Sequence, residues 1–160
     1  MPLAPKLATF PAIRGALKLY QIASVITGTF LLLLVAEMVM KYGFHQELFV
    51  GGSGGAIYLS PVINGPHGEE STGNGLNINM TILIVHGWFY VVYLFTCFRV
   101  WSMMRWQFLR FIMLAAGGVV PFLSFIMEMI VARDVKRYLA EREAAAVPAS
   151  DISPAPEGAR

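Results

Sequence analysis

Residues 108–131 read FLRFIMLAAGGVVPFLSFIMEMIV. At a rise of about 1.5 Å per residue, one helix of this length is roughly 36 Å long, enough to cross a bilayer core of about 30 Å. Within it, Ala115–Gly118 make a patch of small residues, Gly117 and Gly118 included, just before Pro121. Small residues let helices approach closely in lipid. Pro121 removes a backbone donor, so a kink is expected there. Read as one span, the stretch decides the architecture, because two more runs of the same kind precede it.

Those runs are Ile22–Met40 (IASVITGTFLLLLVAEMVM) and Met80–Phe98 (MTILIVHGWFYVVYLFTCF). In lipid a segment must satisfy its own backbone hydrogen bonds, so all three read as helices. The first continues as VAEMVMKYG after Leu34 and lacks a small-residue cleavage site, so a span is expected there rather than a leader. The expected fold is an all-α membrane protein with three transmembrane helices, up-down-up. A long Gly-rich loop follows the first helix and a helical extension follows the third. The helices are placed at about 18–41, 78–99 and 107–146, in one integral membrane domain over 1–146. The segment 147–160 reads as an extended Pro/Ala-rich tail containing Pro154 and Pro156.

Composition supports the membrane. Hydrophobic residues make up 56% of the 160 residues and charged residues only 14%, with a mean hydropathy of +0.60. A soluble domain of this size needs more charge to cover its surface. A net charge of +2, thinly scattered, does not suit nucleic acid. A single cysteine, Cys97, can neither close an intrachain disulfide nor build a cysteine-type zinc site. The segment Tyr42–Asn79 is rich in Gly, Asn and Ser and has no helical period, so it reads as a loop.

With Arg110 counted to the short basic turn, three ionisable side chains sit inside the apolar runs: Glu37, His86 and Glu128. Spans that alternate in direction put the end of the first, the start of the second and the end of the third in one leaflet. A structural polar cluster of Glu37, His86 and Glu128 is therefore expected, with His86 somewhat deeper. Such groups are costly in lipid and tend to pair. As a haem ligand His86 lacks a partner at matching depth. A proton relay would need a continuation to the other leaflet, where the spans offer only Ser24, Thr27 and Thr29. An interhelical hydrogen bond, with Gly87 admitting a neighbouring helix, is the simplest reading. Ser24 and Gly28 share a small-xxx-small spacing and join Gly87, Gly117, Gly118 and Pro121 as helix-packing candidates. No nucleophile stands with a base, GGSGG has no following Lys-Ser/Thr helix, and His45 and His67 stand alone. No catalytic, cofactor-binding or metal residue is expected.

The segments FLLLLVAEMVMKY, VHGWFYVVYL, Arg105–Trp106 and PFLSFIME, in this order, resemble a small family of bacterial three-helix membrane proteins of unknown biochemical function. The resemblance spans roughly Leu17–Arg137. Actinobacterial members resemble the respiratory supercomplex association factor, an accessory subunit of the cytochrome bcc–aa3 oxidase assembly. The resemblance implies a non-catalytic protein of the bacterial plasma membrane. Its partners would be membrane lipid and the larger cytochrome bcc and aa3 subunits, with haem and copper held only by those partners. The contact candidates are Arg105 and Trp106 in the short basic turn, Gly51 and Gly52 in the loop, and Pro154 and Pro156 in the tail. The alternative is a small oligomeric transporter, coupled to protons or a cation through Glu37, His86 and Glu128. Lysine and arginine are nearly balanced between the two sides of a three-span protein, six against five. The short basic turn tips the reading to a cytoplasmic N-terminus, with 42–79 and the tail outside.

Overall fold

The computed structural model describes residues 5–66 and 68–146. A short 3-10 turn, Leu7–Thr9, leads into α1, Phe10–Phe44, with Pro11 in its first turn, where a missing N–H costs nothing. The helix thus starts earlier than the apolar run and earlier than the start expected at about residue 18. His45 ends it in the left-handed conformation at φ 53°, its N–H donating to the Met40 carbonyl. The second long helix, α2, is Ile78–Met104, capped by the Asn77 side chain, which accepts from the Met80 N–H at 3.1 Å. Arg105 closes it at φ 52°. Tyr20 meets Tyr93 and Phe30 meets Phe89, so α1 and α2 lie antiparallel.

The third apolar run does not form one helix. It makes α3, Phe108–Gly117, and α4, Leu123–Ala144. Between them the N–H groups of Gly118 and Val119 turn to the carbonyls of Ala115 and Ala116, a tightening to 3-10 geometry. Two glycines lower the helix propensity, and Pro121 both withholds a donor and drives Val120 from helical dihedrals. Together they break the helix rather than kink it. Phe122, at φ 65°, starts α4 in a new direction.

Contacts fix that direction. Going up α3, Trp101 meets Phe108 and Phe111, and Tyr93 donates to the Leu114 carbonyl at 2.6 Å. Going down α4, Ser124 bonds Ser24, Glu128 bonds Gln21, and Glu143 pairs with Arg14. Arg110 of α3 lies 3.4 Å from Asp134 of α4. So α3 rises to about the level of Gly28, roughly the middle of α1, and α4 returns to where α1 began. Two long helices and a half-height helical hairpin stand in place of three full spans. Among the described residues, α1 with its lead-in turn and α2 are the helices long and apolar enough to cross a membrane.

The segment expected as a loop is a small antiparallel sheet at the other end. Its strands are β1 (Gln46–Val50), β2 (Ile57–Gly65), β3 (Gly68–Ser71) and β4 (Leu76–Asn77), in the order β3-β2-β1-β4. β1 and β2 pair from Gln46 with Pro61 to Val50 with Ile57. Glycines at positive φ, Gly51 (72°) and Gly52 (102°), turn that hairpin. The inward face buries Glu47, Phe49, Ser60 and Val62 above the helix ends.

Candidate functional site

Glu37, His86 and Glu128 stand at three depths rather than in one cluster. Glu128 accepts a hydrogen bond from the Gln21 amide. Gln21 and Glu37 are sixteen residues apart on one helix, roughly 24 Å by helical rise. The expectation of one leaflet rested on a third full span, and the returning α4 carries Glu128 to the opposite end from Glu37. His86 lies near mid-height, beside the Thr27 backbone of α1 and stacked on Tyr90 with centroids 6.3 Å apart. Its Nδ1 has no hydrogen-bond partner among the described residues. Thr27 Oγ1, close by, donates to the Phe89 carbonyl at 3.3 Å.

The small residues hold the hairpin. Ser24 Oγ donates to the Ser124 carbonyl at 3.0 Å and Ser124 Oγ to the Ser24 carbonyl at 2.9 Å, a reciprocal pair buried between α1 and α4. A Cβ on Gly28 would lie 3.0 Å from the Phe125 ring. One on Gly117 would lie 2.8 Å from the Tyr93 hydroxyl, and one on Gly118 2.5 Å from the Tyr90 ring. These glycines permit close approach. Gly87 is different: nothing lies within 4 Å of a Cβ placed there. Pro121, with Val119, Val120 and Phe122, forms the exposed tip of the hairpin.

At the sheet end lies a polar knot that the sequence reading did not single out. Glu47 is 2% exposed. Lys41 at the end of α1 sits 2.8 Å from its Oε1, and the Asn77 amide donates to its Oε2 at 2.8 Å. Burial pushes the Glu47 carboxyl up, but the bonds from Lys41 and Asn77 outweigh it and hold the group below the ordinary carboxylate range. One charged network thus joins α1, β1 and the cap of α2. Glu37 lies near it, buried, with Oε2 unpartnered among the described residues. Its signal in the sequence was only Lys41 and Glu47 flanking the helix end, six residues apart.

The outer face of β2 is apolar. Ile57, Leu59 and Ile63 point the same way at alternate positions and are 70%, 51% and 50% exposed. Their period of two was legible in IYLSPVING, within what reads as a Gly-rich loop. Gly51 and Gly52 shape the adjoining hairpin, where Asn74 Oδ1 accepts from the Ser53 N–H at 3.0 Å and the Tyr58 hydroxyl at 2.9 Å. At the far end, Arg105 caps α2, and the Arg110 guanidinium lies 4.7 Å from the Trp106 ring centroid. Pro154 and Pro156 lie outside the described residues. Among the described residues, no three His, Cys, Asp or Glu side chains are grouped to hold a metal.

The geometry defines a class first: a small, mostly helical protein with two candidate membrane-spanning helices, a half-height helical hairpin and a sheet at one end. The chain belongs to the bacterial family described as Domain of unknown function (DUF3817), whose family model matches residues 17–133. The match takes in α1 from Leu17, the whole sheet, α2, the break at Gly117–Pro121 and the first half of α4. The chain is 29% identical over 127 residues to Uncharacterized protein ML1176 of Mycobacterium leprae (strain TN), covering 79% of this chain and 81% of that protein. No solved structure matches.

Proposed function

We propose that this protein is a non-catalytic accessory subunit of the bacterial plasma membrane, stabilising a larger membrane assembly by docking against it. The observation that carries this reading is the apolar row of Ile57, Leu59 and Ile63 on β2. The most apolar windows of α1 and α2 are only 33% and 22% buried, which suits helices facing lipid rather than a soluble core. Lipid accounts for those helix faces. It does not account for a row of large aliphatic side chains on a sheet beyond the helix ends, where a partner surface would cover them. The hairpin tip supports the same reading. Non-helical backbone at membrane depth is tolerated where protein or an internal cavity surrounds it, and Val119–Phe122 are exposed in the isolated chain.

The partner class favoured by the family resemblance is the cytochrome bcc–aa3 respiratory assembly, with haem and copper in its subunits and none in this chain. The orientation that goes with it follows from the returning α4. Of the 12 lysines and arginines, Lys41 stands at the sheet end and Arg160 lies outside the described residues. The other ten belong to the end of the molecule where α1 begins and α4 finishes. Positively charged ends stay in the cytoplasm, so the sheet lies outside and both described termini inside.

The test is purification of the intact chain in mild detergent, followed by a reduced-minus-oxidised spectrum of what accompanies it. Haem bands are expected with the native protein and should be strongly reduced with Leu59→Ser/Ile63→Ser. A colourless preparation from native membranes overturns the respiratory reading. Haem retained in full by the double variant removes β2 as the docking face.

The transporter alternative keeps one observation in its favour. Buried atoms of Tyr20, His86 and Glu37 that have no hydrogen-bond partner among the described residues stand at successive heights along the α1–α2 pair. Purified protein in vesicles carrying a pH dye is expected to pass no protons above the lipid background. Flux abolished by His86→Gln would reverse the order of the two readings.

A further inference from the structure

At the basic end, α1 and α4 enclose a groove of about 370 Å³. Leu17 and Leu139, both nearly fully buried, form its floor. Arg14 closes the outer mouth by gripping both oxygens of Glu143 at 2.7 and 2.8 Å. The Gln21–Glu128 hydrogen bond closes the inner end. Between these closures stand Lys18 and Lys136, one on each wall, both exposed and without an ion-pair partner among the described residues. Among the described residues, the anion that lines the groove, Glu143, is held by Arg14, which leaves two unpaired cations facing an apolar floor.

The groove does not stop at the charges. Residues three, four and seven positions apart share a helix face, so Lys18, Gln21 and Val25 form one stripe on α1, and Lys136 and Met129 one on α4. Val25 and Met129 are exposed. Lys18 stands at the boundary where the apolar run of α1 begins, the depth of a phospholipid headgroup. The stripe thus passes from two ammonium groups to apolar surface in the direction of the bilayer centre.

We infer that the groove between α1 and α4 binds an anionic diacyl phospholipid, its phosphodiester between Lys18 and Lys136 and its acyl chains along Val25 and Met129. A zwitterionic lipid brings its own ammonium against the two lysines and is disfavoured. Basic clefts between helices on the cytoplasmic side are physically suited to acidic headgroups, with each nearby cation contributing to attraction. The inference rests on the membrane insertion and orientation proposed above and stands whichever partner assembly holds the protein.

The full-length protein, exchanged into nanodiscs or mixed micelles, provides the test. Dioleoyl phosphatidylglycerol is titrated against a phosphatidylcholine background while thermal unfolding and direct binding are followed. Phosphatidylglycerol should bind and raise the unfolding temperature. Lys18→Gln/Lys136→Gln should weaken binding roughly tenfold or more, given two lost cations. Lys18→Arg/Lys136→Arg should retain it. Arg99→Gln/Arg142→Gln, which removes the same charge elsewhere at this end, should leave it within about twofold of the native value. Ala140→Trp, which fills the groove without changing charge, guards against misfolding of the lysine variant and should also lose binding. Equal loss in the Arg99/Arg142 control means bulk surface charge alone and overturns the site. Equal stabilisation by phosphatidylcholine overturns headgroup selection. Displacement of the lipid by millimolar inorganic phosphate, or full binding by Ala140→Trp, overturns the lipid as occupant.

Discussion

The α1–α2 pair and the α3–α4 hairpin come from apolar stretches that look alike in the sequence and behave differently in the fold. α1 and α2 run on without interruption, past the apolar runs and into polar residues at their ends. The third stretch is equally apolar but carries Gly-Gly-Val-Val-Pro at its centre, and there the chain reverses. Length and hydropathy measure what a segment could cross. Continuity of its backbone hydrogen bonds, and the surface available to receive it, decide whether it does. Once broken, the halves of the third run pack on each other and on α1. The reciprocal Ser24–Ser124 bonds and the contact of Gly28 with Phe125 are the seats that receive α4.

The largest expected effect separates these regions outright. Cysteines placed at Ser53 and Ala145, with Cys97 buried and silent, should label from opposite sides of the membrane. Ser53→Cys should react in intact cells and Ala145→Cys only after the cytoplasm is opened. Labelling of both from one side would mean that the third run spans after all.

Next comes the seat. Gly28→Leu should push the Phe125 ring and Ser124 away and destabilise the hairpin by about 1–3 kcal/mol, the usual cost of overpacking. Proteolytic release or hydrogen exchange of α4 would report it. If exchange in α4 is unchanged, Gly28 is not where the hairpin docks. A double-mutant cycle of Ser24→Ala and Ser124→Ala should give a coupling of about 0.6–1.7 kcal/mol, the size measured for interhelical hydrogen bonds in membranes. A coupling indistinguishable from zero would dismiss the serine pair as incidental.

The sheet end offers a pH test. The Glu47 carboxyl is held below its ordinary value, so its contribution is fully present above the unfolded-state pKa of about 4.3. It fades as pH falls through the lower folded-state value. Exchange protection in β1 and β4 should therefore drop in acid, more steeply than protection in α4. Glu47→Gln should lower protection at neutral pH and flatten the profile. An unchanged profile in that variant would assign the acid sensitivity to another group.

The smallest effect belongs to His86. The sequence reading makes it an interhelical clamp, for which His86→Leu costs about 1–2 kcal/mol. Among the described residues Nδ1 has no partner, and the ring's polar neighbour on α1 is the Thr27 backbone rather than a carboxylate, so little is lost with the side chain. Both His86→Gln and His86→Leu should stay within about 0.5 kcal/mol of the native protein in a denaturation midpoint. A loss above 1 kcal/mol for Leu alone would restore the clamp.

Parts of the site were legible and parts were not. Ser24, Gly28, Gly117 and Gly118 declared close packing by size and spacing, since a side chain too small to fill space leaves room for a neighbour. The strands of the sheet were masked because glycine-rich turns dominate the segment, although Ile57, Leu59 and Ile63 alternate as a strand should. Lys41 and Glu47 could not be joined on paper, because their meeting depends on the chain reversing at His45.

The sequence by itself determined the apolar character, the two long helices able to cross a membrane and the position of weakness at Gly117–Pro121. These follow from local chemistry: apolar surface, unbroken hydrogen bonding, and the missing donor and restricted dihedrals around one proline. Tertiary structure alone decided whether that weakness became a kink or a reversal. The two outcomes are alike to their nearest neighbours in the chain and differ only in what α4 meets. By turning back, α4 carries Glu128 to Gln21 and parts it from Glu37. It also gathers ten basic side chains at one end and builds the groove between Lys18 and Lys136. None of these relations is local, so no window of the sequence contains them.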